Sequence, residues 1–278
     1  FMVRTFITIF TLHCNNAVTN MDRSKSFINK FLTSIGFIAT FGFATTINIP
    51  ADYSTIQAGI DASSDGDTVL VAEDTYTENI NYNGKNIVVG SLYLTTQDTS
   101  YISSTIIDGV DTSYDGNEEY GTVVTFENGE NSTAILNGLT ITQGFEEIES
   151  VCGIRCNSSN PTITNVIISG INAVNEDGAG IALYSSNPTI INVTISNNTA
   201  VIGGGMLLVE SNPTLINVTI SNNTAGEGGG ISLENSNPTL TNVTITGNTA
   251  ISNGGSGIYF ISDSDPTLVN SILWNNSS

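Results

Sequence analysis

The residues that could do chemistry are few and unevenly placed. The chain holds 26 Asp and Glu against six Lys and Arg, and the carboxylates collect in two kinds of place. Asp108–Glu119 (DGVDTSYDGNEE) is an acidic loop with Asp108, Asp111 and Asp115 at short spacing. Glu146, Glu147 and Glu149, then Glu176 and Asp177, then Glu227 recur before a Gly-rich run. Oxygen-rich loops that stack on one another can hold Ca2+. Asp108, Asp111, Asp115, Glu146, Glu147, Glu176 and Asp177 are therefore the candidate Ca2+ ligands, set beside the plainer reading of a hydrated acidic edge. Calcium is the one cofactor the sequence offers, and neither group matches an EF-hand or a G-G-x-G-x-D repeat.

Other chemistries are poorly supplied. Hydrolysis of a glycosidic bond needs one acid to protonate the leaving group and a second carboxylate across from it, and the repeating part of the chain offers no such pair on one face. The sole His is His13, ahead of a leader-like segment, so a Ser-His or Cys-His nucleophile is excluded downstream of it. Cys152 and Cys156 lie four apart on one extended segment, about 13 Å when fully stretched, which is beyond disulfide reach. They read as core thiols. Arg155 between them points outward, and its equivalents in later repeats are Ala182, Leu207 and Ser232, with no carboxylate among them.

These residues are positioned by a repeat. SNPTLINVTISNNTA at 211–225 returns as SNPTLTNVTITGNTA at 236–250, and the anchors Pro161, Pro188, Pro213, Pro238 and Pro266 set a period of 25 to 28 residues. A fixed period of this size marks a stacked, quasi-one-dimensional fold. The V-T-I step alternates apolar and polar residues, as a strand with one buried face does. Gly180–Leu183, Gly205–Leu208 and Gly230–Leu233 alternate in the same way and form a second strand on another face. Pro cannot donate to a central ladder, so Asn-Pro belongs at a corner. Each rung is then two or three short strands, with like residues stacked at about 4.8 Å.

The fold class this predicts is all-β: a single-stranded right-handed parallel β-helix, or solenoid. A leucine-rich repeat shares the L-x-x-V-x-I-x-x-N spacing at Leu240–Asn248, but it needs a helix or comparable segment where GEGGGISLEN at 226–235 is Gly-rich and then alternating. Four residues after each Pro stands Asn165, Asn192, Asn217, Asn242 or Asn270. This column is expected to be an inward-facing, buried ladder of amides. The sequons at Asn192, Asn197, Asn217, Asn222 and Asn242 recur because the rung recurs.

The flanks differ from the repeat. From Met21, MDRSKSFINK is basic and FLTSIGFIATFGFA is apolar for 14 residues, ending in small residues at Gly42 and Ala44. This predicts a signal peptide over 21–44, too short for a membrane span of about 20 residues. Residues 1–20 are expected to be an unstructured upstream segment and 45–278 the β-helix domain, with no transmembrane segment in the mature chain. Without the leader, Lys85 and Arg155 face 25 carboxylates, a net charge of −23. Such a surface disfavours nucleic acid and anionic membranes. Asp52–Ala62 is the one helical pattern, with Ser54 as expected N-cap and Ile56 and Ile60 on the face that would close the first rung. Strands are expected from Thr68–Ala72 onward, with Gly138 in the Asn-column place. The last rung stops at Trp274–Ser278 before its next Gly-rich strand, which predicts a domain that continues further.

The run IPADYSTIQAGIDASSDGDTVLVAEDTYTENI, with GKNIVVGS, STIIDG and VVTFENG after it, resembles the start of secreted bacterial proteins of the pectin-lyase-like, right-handed parallel β-helix superfamily. The G-G-G-I and I-x-N-N-T-A units are similar to repeats of bacterial polymorphic outer-membrane proteins. The resemblance implies a secreted or cell-surface protein with a structural, adhesive or glycan-binding role and a polysaccharide or cell-surface partner. It also implies an alternative, a polysaccharide lyase or glycoside hydrolase. The lyases of that superfamily use an Arg or Lys base beside Ca2+-binding carboxylates on one sheet face, a role for which only Arg155 is placed.

Overall fold

A computed structural model of the chain describes residues 44–109, 121–143, 151–252 and 254–277. Two units are distinguished, Phe1–Phe43 and Ala44–Ser278, and the second carries the fold described here. The expected leader and upstream segment lie outside the described residues, as do Asp111, Asp115, Glu146, Glu147 and Glu149.

From Ala44 the chain winds as a right-handed parallel β-solenoid of about seven turns. Among the described residues the strands fall into four parallel sheets of nine, eight, four and seven strands, taken in order round the rung. One rung shows how the sequence makes them. Thr214–Ile216 lies in the first sheet, Thr219–Ser221 in the second, Thr224–Glu227 in the third and Ile231–Glu234 in the fourth. The short third sheet is the addition to the two or three strands read from the sequence, because a Thr-Ala step is too brief to display alternation. The period of the repeat is the register: Leu215 pairs with Ile190 and Leu240, and Ile220 with Ile195 and Ile245.

Alternation sends one apolar file inward from each strand. Leu215, Val218, Ile220, Ala225, Ile231 and Leu233 are each at most 1 % exposed, and like residues of neighbouring rungs continue each file. Truncating one of the larger side chains to Ala would cost about 2–5 kcal/mol. The turn from first to second sheet is a single left-handed residue, Asn165, Asn192, Asn217, Asn242 or Asn270, with φ between 50° and 56°. Asn tolerates this conformation better than other residues with a Cβ. Gly138 occupies the same place at φ 73°, as expected. Because only one residue is spent at the corner, its N–H still joins the stack: that of Asn192 donates to the carbonyl of Ile216 at 3.0 Å.

The N-terminal end is built differently. Thr46–Ile49 already pairs in parallel with Thr68–Val71, so the stack begins ahead of the helix and not at Thr68. Helix α1, Ile56–Ala62, is capped by Thr55 and not by Ser54: Thr55 is extended, and its hydroxyl accepts from the N–H of Ala58 at 3.1 Å. Ile56 and Ile60 are fully buried against the first strands. Both helix ends are held by charges from later in the chain. Glu78 accepts from the N–H groups of Ile56 and Gln57 at 2.8 and 2.9 Å. Lys85 Nζ donates to the carbonyls of Ile60 and Asp61 at 2.6 and 2.7 Å. Each sign matches the helix dipole. Two further helices, α2 (Tyr93–Thr96) and α3 (Ser100–Ser104), have no buried residue and lie in one excursion at the corner between the first and second sheets of a single rung. They carry no apolar stripe for the sequence to show, and they do not recur as the helices of a leucine-rich repeat would.

Candidate functional site

Arg155 stands where the sequence put it, on the outer face of the fourth sheet. Its file reads Asn81, Thr125, Arg155, Ala182, Leu207, Ser232 and Tyr259. The file is not the open surface that alternation suggested. Ala182, Leu207 and Ser232 are 2 %, 4 % and 0 % exposed, because the Gly-rich loop of each rung folds back over them. A Cβ on Gly178 would sit 2.8 Å from that of Ala182, and one on Gly228 2.8 Å from that of Ser232. Only a residue without a side chain can lie so close, and both glycines have φ near +70° or above.

Arg155 itself is half-buried, not freely solvated. Its guanidinium lies over the Tyr184 ring, 5.3 Å from the centroid, an arrangement that favours a cation. Its Nε is buried without a hydrogen-bond partner. Burial pushes the Tyr184 hydroxyl above its usual range. Burial also pushes the Cys152 thiol up to about 12 and that of Cys156 well above its ordinary value. Both are free thiols, protonated at neutral pH and so poor nucleophiles. The expectation of core thiols holds fully for Cys156, which is buried, and in part for Cys152, which keeps some exposure.

The stacked loops do not bring the described candidate Ca2+ ligands together. Gly178, Gly203 and Gly228 are equivalent in the stack, since Gly178 N–H donates to Ile202 and Gly203 N–H to Glu227. Asp177, Ile202 and Glu227 therefore form one file, with Ile202 holding the two carboxylates two rungs apart, about 10 Å. Asp177 is exposed, and partial desolvation lifts its carboxyl above the usual range against the lowering pull of the Ile202 hydrogen bond. Glu176 is half-exposed beside it. Asp108 ends its strand in the second sheet, with Oδ1 buried and without a hydrogen-bond partner. Among the described residues no group of three or more His, Cys, Asp and Glu is placed to hold a metal.

The predicted asparagine column corrects a reading. Its amides do bond along the stack: Asn165 Nδ2 donates to Asn137 Oδ1 at 3.0 Å, Asn192 to Asn165 at 3.0 Å, and Asn217 to Asn192 and Asn242 to Asn217 at 3.2 Å. Yet Asn192, Asn217, Asn242 and Asn270 are exposed and Asn165 half-exposed. The left-handed turn throws the side chain to the outside of the corner, and the following Val fills the interior.

The buried ladder lies at the next corner, in Asn198, Asn223 and Asn248, all 0 % exposed. Asn223 Nδ2 donates to Asn248 Oδ1 and to the Ile195 carbonyl, both at 3.0 Å. Its Oδ1 accepts from the N–H and the Nδ2 of Asn198, again at 3.0 Å. All four hydrogen-bonding positions of the amide are filled. A sequence signal for it existed. In I-x-N-N-T-A the first Asn gives way to Gly170 and Gly247, so it serves conformation, whereas the second is Asn at 198, 223, 248 and 276 and gives way to the apolar Ile171. A third stack uses Ser-Asn before Pro161, Pro188, Pro213 and Pro238: Ser186 N–H donates to Ser211 Oγ at 3.0 Å and Asn212 N–H to Asn187 Oδ1 at 2.7 Å.

The right handed beta helix region model matches residues 69–273, and no curated protein matches the chain. Among solved structures, a pectin methylesterase from Aspergillus niger is similar over 86 % of this chain and 81 % of its own, with TM-score 0.53 and 17 % identity. A pectin methylesterase from carrot is similar over 86 % and 89 %, with TM-score 0.46 and 11 % identity. A pectate lyase is similar over 84 % and 79 %, with TM-score 0.33 and 14 % identity. At 17 % identity the likeness to the Aspergillus enzyme is one of fold. The parallel four-sheet rung, its stacked amides and the match over 69–273 together say that this chain belongs to the right-handed beta helix family.

Proposed function

We propose that this solenoid is a non-catalytic secreted or cell-surface protein with a structural, adhesive or glycan-binding role. The observation that carries the reading is the closure of the fourth-sheet face. Three residues of its outward file, Ala182, Leu207 and Ser232, are buried beneath glycine loops, and the register neighbours of Arg155 are Thr125 and Ala182, neither of them a carboxylate. A lyase or hydrolase would need a base or acid pair in an open groove wide enough for a polymer. A chain of this net negative charge would also repel polyanionic substrates such as pectate. The names of the structural neighbours concern pectin, and they make a polysaccharide a reasonable partner to test.

The test is an assay for methanol release from esterified pectin and for unsaturated products from polygalacturonate, with and without Ca2+. We expect neither product. Turnover that disappears in Arg155→Ala would overturn the reading in favour of the superfamily's enzymes. Calcium remains a proposal on Asp108, whose buried Oδ1 lacks a partner. A rise in melting temperature with added CaCl2 that Asp108→Ala removes would support it.

A further inference from the structure

The outer face of the second sheet is the reverse of the fourth. Across three successive rungs it presents Thr194 and Ser196, Thr219 and Ser221, Thr244 and Thr246, paired in register and partly exposed. No charged residue occurs in 189–202, 214–226 or 239–250, although the chain as a whole carries a net −20. The acids of these rungs lie away from it: Glu176 and Asp177 in the loop before the fourth sheet, Glu227 at the end of a third-sheet strand, and Glu210 and Glu234 at the ends of fourth-sheet strands. A surface swept clear of charge in so acidic a molecule fits an uncharged partner, since a charged one would be repelled or drawn elsewhere.

The same file ends on the chain's single tryptophan. Trp274 pairs with Thr246 in the outward position and is 73 % exposed. Its neighbour Leu273 takes the inward position opposite Ile245, so the indole faces out by strand alternation. Along the edges of the face run the exposed amides of Asn192, Asn217 and Asn242 on one side and of Asn197 and Asn222 on the other. Asn192 and Asn217 on the first edge each spend one amide donor and one acceptor on their neighbours, leaving a second of each for a ligand. Thr is stiff at χ1, so little side-chain entropy is lost on binding.

We infer that this face binds an uncharged polysaccharide laid along the solenoid axis, with one pyranose stacked on Trp274 and the next rings over the Ser and Thr files. The inference deepens the glycan-binding branch of the function proposed above and rests on it. Rungs repeat about every 4.8 Å, comparable to the advance of a β-1,4-linked sugar chain, and Thr offers a methyl and a hydroxyl to match a sugar's apolar face and equatorial hydroxyls. The amide edges supply the directional hydrogen bonds that fix orientation.

Because the chain has one tryptophan, its emission reads this face alone. The full chain is titrated with β-1,4-linked hexamers of glucose and of N-acetylglucosamine, with hexagalacturonate as the acidic comparison, and affinities are checked by calorimetry. We expect a neutral hexamer to shift the emission to the blue, and Trp274→Ala or the pair Thr219→Lys and Ser221→Lys to weaken binding at least tenfold, with circular dichroism unchanged and Arg155→Ala without effect. Neutral-glycan binding that survives the Lys pair would overturn this face while sparing glycan binding itself. A preference for hexagalacturonate would overturn the neutral ligand. No response to either neutral hexamer would overturn the inference and leave the non-catalytic reading standing, whose own failure would be product formation in the assays above.

Discussion

Two asparagine corners flank the second sheet, and they use the same residue for opposite ends. At Asn217 the side chain lies outside the left-handed turn, exposed, and its amide chain is held only by its own neighbours. At Asn222-Asn223 the tasks are divided: Asn222 takes the left-handed φ of 56° and is exposed, while Asn223 is buried with every polar position filled. Each corner bends on one exposed left-handed residue and fills the interior with the next, Val218 at the first and Asn223 at the second, so only the second corner puts an amide inside. The inner ladder then joins rung to rung, and the outer one remains available to a partner.

The largest effect is expected where a neighbouring column leaves room for the inner amides. A Cβ on Gly205 would lie 2.4 Å from the Gly230 carbonyl, 2.7 Å from Ile220 Cγ2 and 3.1 Å from Asn223 Nδ2. Gly205→Ala should therefore destabilise by about 3 kcal/mol, at the upper end of overpacking costs, read as a lowered denaturation midpoint. A loss near zero would mean that the inner corner is loose and the contrast with the outer one unfounded.

The N-terminal cap comes next, because α1 is stitched to the stack by charge where the later rungs use amides. Lys85→Met should cost about 1 kcal/mol by removing the cation from the helix C-terminus, and Glu78→Gln about as much, since each carboxylate oxygen accepts from one N–H and the amide would turn its NH2 toward one of them. Limited proteolysis near α1 should accelerate in Lys85→Met and stay unchanged in the central rungs. Equal acceleration throughout would mean that the cap and rungs unfold together.

A pH effect follows at the same end. Asp67 accepts from the N–H groups of Thr45 and Ser64 at 2.7 and 2.8 Å, and these bonds hold its carboxyl below the usual 3.8. A depressed folded-state pKa means stability that is present above the unfolded value and lost as pH falls through the folded one. Thermal melts should thus be flat near neutrality and decline below about pH 4, with a shallower decline in Asp67→Asn. An identical acid limb in that variant would remove Asp67 from the cause.

The smallest effect is chemical. Cys152, pushed up to about 12 by burial, should react with iodoacetamide at pH 8 far more slowly in the native protein than after unfolding. A native rate matching the unfolded one would show that the thiol beneath Arg155 is open.

Much of this molecule could be read from its repeat. The period gave the register of Leu215, Ile220 and Leu233, because a one-residue slip would turn every inward file outward. The repeat marks the Asn column as a ladder but not its side of the backbone, since apolar flanks at Leu215 and Val218 say nothing about a turn whose φ changes sign between them. The cover over Ala182, Leu207 and Ser232 was missed for a related reason. Alternation assigns a residue to a face and is silent on whether a loop lies over that face. The stitching of α1 by Glu78 and Lys85 spans more than 20 residues in sequence and leaves no periodic trace.

The claim that the inner ladder holds the stack while the outer one is spare is tested most directly by comparing Asn223→Ala with Asn217→Ala in the same urea titration. The first should lose about 3 kcal/mol or more, since several buried groups lose partners worth about 1–3 kcal/mol each. The second should lose about 1 kcal/mol, chiefly from placing Ala in a left-handed turn, and Asn217→Gly should restore it. Equal losses, or a larger loss at Asn217 that Gly does not restore, would contradict the account.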